Sequence, residues 1–175
     1  MKGLKIKWVF PTKGDVYATP SVVDNIVYAG DTSGTFYALR SAGTLLWKTS
    51  GSGSIKFGPI TASALVTNRE REVDKMDKMD KMDEGDRRDE GDRIDGMVIF
   101  GDQAGFLYGL KRDTGELVWA VQPNHNSAAA IFGSPILVDG HVVIGISSNL
   151  VSAATTLRGS VVSLDPDNGR IIWQT

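Results

Sequence analysis

Two stretches decide the architecture: Gly109-Leu110-Lys111-Arg112-Asp113-Thr114-Gly115-Glu116-Leu117-Val118-Trp119 and Ser163-Leu164-Asp165-Pro166-Asp167-Asn168-Gly169-Arg170-Ile171-Ile172-Trp173. In each, a strand-like run stops at a polar turn containing glycine, and an apolar pair then leads into tryptophan. Glycine supplies the positive φ such turns need, and Asp, Asn and Thr close them through side-chain bonds to nearby amides. A third version, Ala38-Leu39-Arg40-Ser41-Ala42-Gly43-Thr44-Leu45-Leu46-Trp47, is one residue shorter.

Working outward from these turns, a unit emerges three times. The strand before each turn starts at a glycine: Gly34-Thr35-Phe36-Tyr37, Gly105-Phe106-Leu107-Tyr108 and Gly159-Ser160-Val161-Val162. The strand before that ends in one: Ile26-Val27-Tyr28-Ala29-Gly30, Met97-Val98-Ile99-Phe100-Gly101 and His141-Val142-Val143-Ile144-Gly145. A polar turn (Asp24-Asn25; the span from Asn68 to Gly96; Asp139-Gly140) precedes it. The first strand of each unit is expected directly after Thr19-Pro20, Gly58-Pro59 and Ser134-Pro135. From third-strand glycine to tryptophan the separation is 13, 14 and 14 residues. Lys5-Ile6-Lys7-Trp8-Val9 reads as the fourth strand of a preceding unit.

Short apolar runs rich in Val, Ile, Tyr and Phe favour strands buried on one or both faces. Four antiparallel strands repeated at this spacing form a propeller blade, which covers its two faces only by stacking on neighbours. The expected fold is all-β: a β-propeller of four-stranded antiparallel blades, about three blades plus one strand of a preceding blade, an incomplete ring. Its boundaries are an outer strand over 4–10, blade 1 over 16–49, blade 2 over 57–121 and blade 3 over 132–175.

Residues 69–95 stand apart. They run Asp-Lys-Met three times and then double a Glu-Gly-Asp-Arg unit, with 20 of 27 residues charged and no aromatic. Such a stretch cannot bury enough apolar surface to offset its ordering entropy, so it reads as a solvated loop projecting from a blade 2 hairpin. Calcium-loop spacing is absent from it.

The turn-to-tryptophan segments resemble the tryptophan-docking motif of the pyrroloquinoline-quinone (PQQ) enzyme repeat, Ala-x-Asp-x-x-Thr-Gly-x-x-x-Trp. Thr114, Gly115 and Trp119 match in one copy, Asp165, Gly169 and Trp173 in the next, and Ala38, Gly43 and Trp47 in the shorter one. The resemblance covers the chain outside residues 69–95. It implies a PQQ-like propeller in which these residues hold blades together. Relatives of this repeat include quinoprotein alcohol dehydrogenases, a lipoprotein scaffold of outer-membrane protein assembly and kinase-linked sensor domains, mostly extracytoplasmic.

The composition narrows the chemistry. Net charge is −2 and there is no cysteine, which excludes a strongly basic nucleic-acid binder, disulfides and thiolate metal sites. No apolar run reaches the length of about 18 residues that a membrane helix needs. Lys5 and Lys7 interrupt the start of the chain where an export signal carries its apolar stretch. Outside residues 69–95 only nine acids remain, mostly in turns, and Asp31 and Asp102 follow the second-strand glycine in equivalent places, which favours a structural role common to the blades. Asp165 to Gly169 reads as a turn rather than a calcium loop. His125 and His141 sit in a linker and beside a hairpin, with no catalytic set around them. No catalytic or metal residue is therefore expected. Residues 124–132 and 147–158 depart most from the minimal unit and are the candidate surfaces.

Known propellers close with about 4–8 blades of about 40 residues each. Three blades fall short, so self-association or a second chain is expected to complete the ring, or the chain is a fragment of a larger propeller. The favoured function is a non-catalytic scaffold for protein or ligand contact, with no cofactor. The alternative is part of a PQQ-dependent alcohol dehydrogenase, an oxidoreductase that the resemblance implies would use PQQ with calcium.

Overall fold

A computed structural model describes residue 3 and residues 5–68, 96–148 and 157–175. The 69–95 segment and residues 149–156 lie outside the described residues, and with them the expected solvated loop.

Blade 1 is a four-stranded antiparallel sheet of β1 (Ser21–Val23), β2 (Ile26–Gly30), β3 (Phe36–Arg40) and β4 (Leu45–Thr49), paired in chain order. Asp24 and Asn25 both take positive φ between β1 and β2, the backbone that matches a two-residue hairpin to strand twist. A small hairpin, β5 (Gly51–Ser52) with β6 (Ile55–Lys56), interrupts the link to blade 2. Blade 2 pairs β7 (Leu65–Val66), β8 (Met97–Gly101), β9 (Leu107–Lys111) and β10 (Leu117–Val121) in the same order. At the root of the 69–95 segment the strands stay joined: Thr67 N–H donates to Met97 O at 2.9 Å, and Met97 N–H to Thr67 Oγ1 at 3.0 Å.

Blade 3 contains β12 (Ile136–Val138), β13 (His141–Ser148), β14 (Ser160–Leu164) and β15 (Ile171–Gln174), with β11 (Ala129–Ala130) added along the far end of β13. The all-β architecture of four-stranded antiparallel blades thus matches the sequence expectation.

Three details differ from it. Residues 5–10 form no strand, and among the described residues no strand pairs with them. In blade 2 the proline does not open the first strand: Pro59 stands six residues before Leu65, and Ser63-Ala64 occupies the place of Thr19-Pro20. In blade 3 the second strand runs past Gly145 to Ser148. Blades 1 and 2 turn at Asp31 and Asp102, whereas Ile146 has no carboxylate to gather turn amides, so the strand continues against β11.

The core lies between blades rather than within them. Between blades 1 and 2, Phe36 stacks on Phe100 at 4.4 Å, and Phe57 packs on Phe100 at 5.3 Å and on Tyr108 at 4.5 Å. Between blades 2 and 3 the packing is aliphatic, with Ile99, Leu107 and Ile131 against Val142, Ile144 and Val162. Each sheet alternates side chains to its two faces. Phe36 and Leu107 therefore face the following blade, while Tyr37 and Tyr108 lie on the opposite face.

Candidate functional site

The same docking geometry recurs at the turn between the third and fourth strands of each blade. Trp47 Nε1–H donates to the Arg112 carbonyl at 2.9 Å, and its ring lies on Gly115 in the turn of the next blade. Trp119 Nε1–H donates to the Pro166 carbonyl at 2.9 Å, and its ring lies on Gly169. Trp8 does likewise, donating to the Ser41 carbonyl at 2.9 Å and lying on Gly43. The three glycines have φ of 85°, 73° and 70°, and a β-carbon on them would approach the indole to 2.5–2.7 Å. Only glycine accepts both that backbone and that approach. Of the sequence-selected residues, the structure joins Trp47 to Gly115, Trp119 to Gly169 and Gly43 to Trp8. Trp47 and Trp119 are 8% exposed, whereas Trp173 is 45% exposed and seats on no turn among the described residues.

Thr114 and Asp165 are turn residues. Thr114 Oγ1 accepts Glu116 N–H at 3.3 Å; Asp165 accepts Asp167 N–H at 2.9 Å and Asn168 Nδ2–H at 3.1 Å. Arg112, which sequence reasoning missed, holds the seam from both sides. Its carbonyl takes Trp47, while its guanidinium donates to Tyr28 Oη at 3.1 Å and to Asp24 and Asn68. Burial would lower its pKa, but the bonds to Asp24 and Tyr28 outweigh that and raise it.

A second recurring unit sits at the opposite end of the strands. Asp31 and Asp102 are fully buried. Asp31 accepts the amides of Gly14, Ser33 and Thr35 at 2.9–3.0 Å, that of Lys13 at 3.1 Å, the Ser33 hydroxyl at 2.6 Å and the Tyr37 hydroxyl at 2.9 Å. Asp102 accepts the amides of Gly58, Ala104 and Phe106 at 2.6, 2.9 and 3.0 Å and the Tyr108 hydroxyl at 2.8 Å. Burial alone would raise the Asp31 pKa; the Ser33, Gly14, Thr35 and Tyr37 bonds reverse this and hold it at about 2. Burial and the neighbouring Asp102 charge push the Tyr108 hydroxyl up, so it stays a donor. Tyrosine three residues after the third-strand glycine was the available signal in copies one and two. In blade 3 the matching positions are Ile146 and Val162, an apolar pair buried in the same place.

The remaining sequence candidates separate. Within residues 124–132, Ala129, Ala130 and Ile131 are buried, Ala129 and Ile131 in the core between blades 2 and 3, while residues 125–127 and Phe132 are exposed, His125 beside Gln122. Among the described residues no group of three His, Cys, Asp or Glu is placed to hold a metal ion. Ser147 and Ser148 end β13, and most of the 147–158 loop lies outside the described residues.

A family model described as outer membrane protein assembly factor BamB matches residues 90–175. Over 98% of its length the chain is 24% identical to a polyvinylalcohol dehydrogenase of Sphingopyxis sp. (strain 113P3), of which it covers 24%. Among solved structures, the quinohemoprotein alcohol dehydrogenase ADHIIG from Pseudomonas putida HK5 matches 94% of the chain with a TM-score of 0.60 at 23% identity, the match covering 21% of that protein. BamB from Moraxella catarrhalis matches 97% of the chain with a TM-score of 0.51 at 16% identity, over 51% of its own length. The chain spans about a quarter of the length of the curated relatives it matches.

Proposed function

We propose that this chain, whose blades are those of the PQQ-like β-propeller family, is a non-catalytic scaffold module, three blades of a larger ring that presents blade surface to a protein or ligand. The observation that carries the reading is the saturation of its buried carboxylates. An ionised carboxylate offers about four acceptor sites, and those of Asp31 and Asp102 are taken by amides and hydroxyls of their own chain. Neither is left to act as a base or to ligate a cation. The tryptophan docking likewise serves blade cohesion.

The second reading, part of a PQQ-dependent alcohol dehydrogenase, is favoured by the names of relatives that align over nearly the whole chain. The resemblance calls for acidic and amide ligands around a calcium ion, with an aspartate base beside them. The described residues do not fit this group, since no such cluster forms and both buried aspartates are engaged. No step is derived through it. Titration of the chain with PQQ and calcium, followed by quinone absorbance and by tryptophan fluorescence, tests the choice. The scaffold reading expects no stoichiometric uptake; tight one-to-one uptake would overturn it.

A further inference from the structure

We propose that the open face of blade 3 is covered by blade 1 of a second copy of this chain. The inference deepens the scaffold reading by naming the partner, and it rests on two unpaired halves of an interface that the molecule already forms twice.

The first half is a glycine socket. Gly30 of blade 1 lies beneath Ile60, five residues before β7, and Gly101 of blade 2 lies beneath Ile131, five residues before β12. A β-carbon on either glycine would overlap the isoleucine. Backbone bonds reinforce each seat: Ile60 N–H donates to Asp31 O at 3.1 Å, and Ile131 N–H to Asp102 O at 2.9 Å. The matching glycine in blade 3 is Gly145, and among the described residues a β-carbon there meets nothing within 4 Å. The residue five before β1, which should fill such a seat, is Val16, and it is 42% exposed. Among the described residues, blade 3 therefore carries a socket without a plug, and blade 1 a plug without a socket.

The second half is the tryptophan seam, and it points the same way. Trp173 is the plug of blade 3 and, among the described residues, lacks a glycine turn. The turn not taken by β4, β10 or β15 is that of Gly43, held by Trp8 from a segment that forms no strand. Lys5-Ile6-Lys7-Trp8 and Arg170-Ile171-Ile172-Trp173 share a cation, an isoleucine and a tryptophan at the same spacing. Residues 5–8 act as a strap that stands in for β15 of another copy. Beside the Gly145 socket, Val161 is 41% exposed where its counterparts Phe36 and Leu107 are fully buried against the next blade. Docking blade 3 on blade 1 of a second copy, with the strap displaced, fills both seats and covers this face. The contact is head-to-tail, so two copies that each make it twice close a ring, while failure to close gives open chains.

Sedimentation and light scattering of the full chain over a dilution series test this, with three variants. Wild type is expected to associate reversibly into a discrete two-copy species. Gly145→Val fills the socket and meets no described residue of its own chain, so it should abolish association while far-UV circular dichroism stays unchanged. Trp173→Ala should weaken association. Trp8→Ala frees the Gly43 turn and should tighten association by about tenfold, because a masked site lowers apparent affinity by the fraction masked. A wild type that stays monomeric at every concentration overturns the proposal and leaves the face to a further blade in cis or to a different protein. Association that Gly145→Val and Trp8→Ala both leave unchanged overturns it equally, as it would use another surface. These readouts involve no quinone, so their failure is distinct from that of the scaffold reading.

Discussion

A tryptophan laid on a positive-φ glycine leaves no space for a β-carbon, and the indole N–H on a carbonyl of the same turn fixes the ring's orientation. That pairing explains why Trp47 and Trp119 matter far beyond their own strands. Removing a buried tryptophan typically costs about 3–5 kcal/mol. Trp119→Ala should therefore lower unfolding free energy in denaturant by about that amount, while Trp173→Ala, at an exposed position, should change the isolated chain's stability by less than about 1 kcal/mol. Equal losses would contradict the seam. Asp31 yields a pH prediction. Its folded pKa of about 2 lies below the ordinary value near 4, so its contribution is complete above about pH 4 and fades as pH falls towards 2. The gap in thermal midpoint between wild type and Asp31→Asn should narrow over that interval. A constant gap would mean the carboxylate's charge is not what the surrounding amides hold.

At the scale of elements, what distinguishes one blade from another is the turn between its second and third strands. A buried aspartate gathers the turn amides in blades 1 and 2, and a tyrosine from the third strand completes the set. Blade 3 replaces both members with Ile146 and Val162, which avoids leaving either polar partner buried alone. Losing the carboxylate also removes the device that ends the strand, and β13 extends to meet β11. The hairpin of β7 and β8 shows the opposite tolerance. Its strands remain bonded through Thr67 and Met97 across the root of a 27-residue highly charged segment. Loop-closure entropy grows slowly with length. Deletion of residues 70–94 should therefore leave the thermal midpoint of the chain unchanged or slightly raised. A large fall would show that the segment supports the blade.

At the scale of the molecule, cohesion lies in seams, so each blade depends on its neighbours and the terminal faces are the weak points. Two seams are closed, one aromatic and one aliphatic. A third is present only as its separated halves, Gly145 with Trp173 at one end and Val16 with the Gly43 turn at the other. An apolar blade face left to solvent attracts a partner or aggregates. The mass and variant measurements decide between a second copy and another occupant, and the quinone titration addresses function separately.

Repetition made the blades legible before any coordinate: glycine at fixed strand positions, tryptophan at 13 or 14 residues, and polar turns between apolar runs are local requirements of strand and turn chemistry. The equivalence of Asp31 and Asp102 was readable for the same reason. What the tertiary structure decided is which surfaces meet. Ile60 is the plug on Gly30 only because β7 begins at Leu65, a register that the position of Pro59 misreports. Arg112 clasps Tyr28 and Asp24 across 84 and 88 residues of chain, a pairing that no spacing encodes. Trp8, Trp47, Trp119 and Trp173 look alike as letters. Their different burial follows from whether a neighbouring blade offers a glycine turn, and burial is a property of the packed seam rather than of the residue.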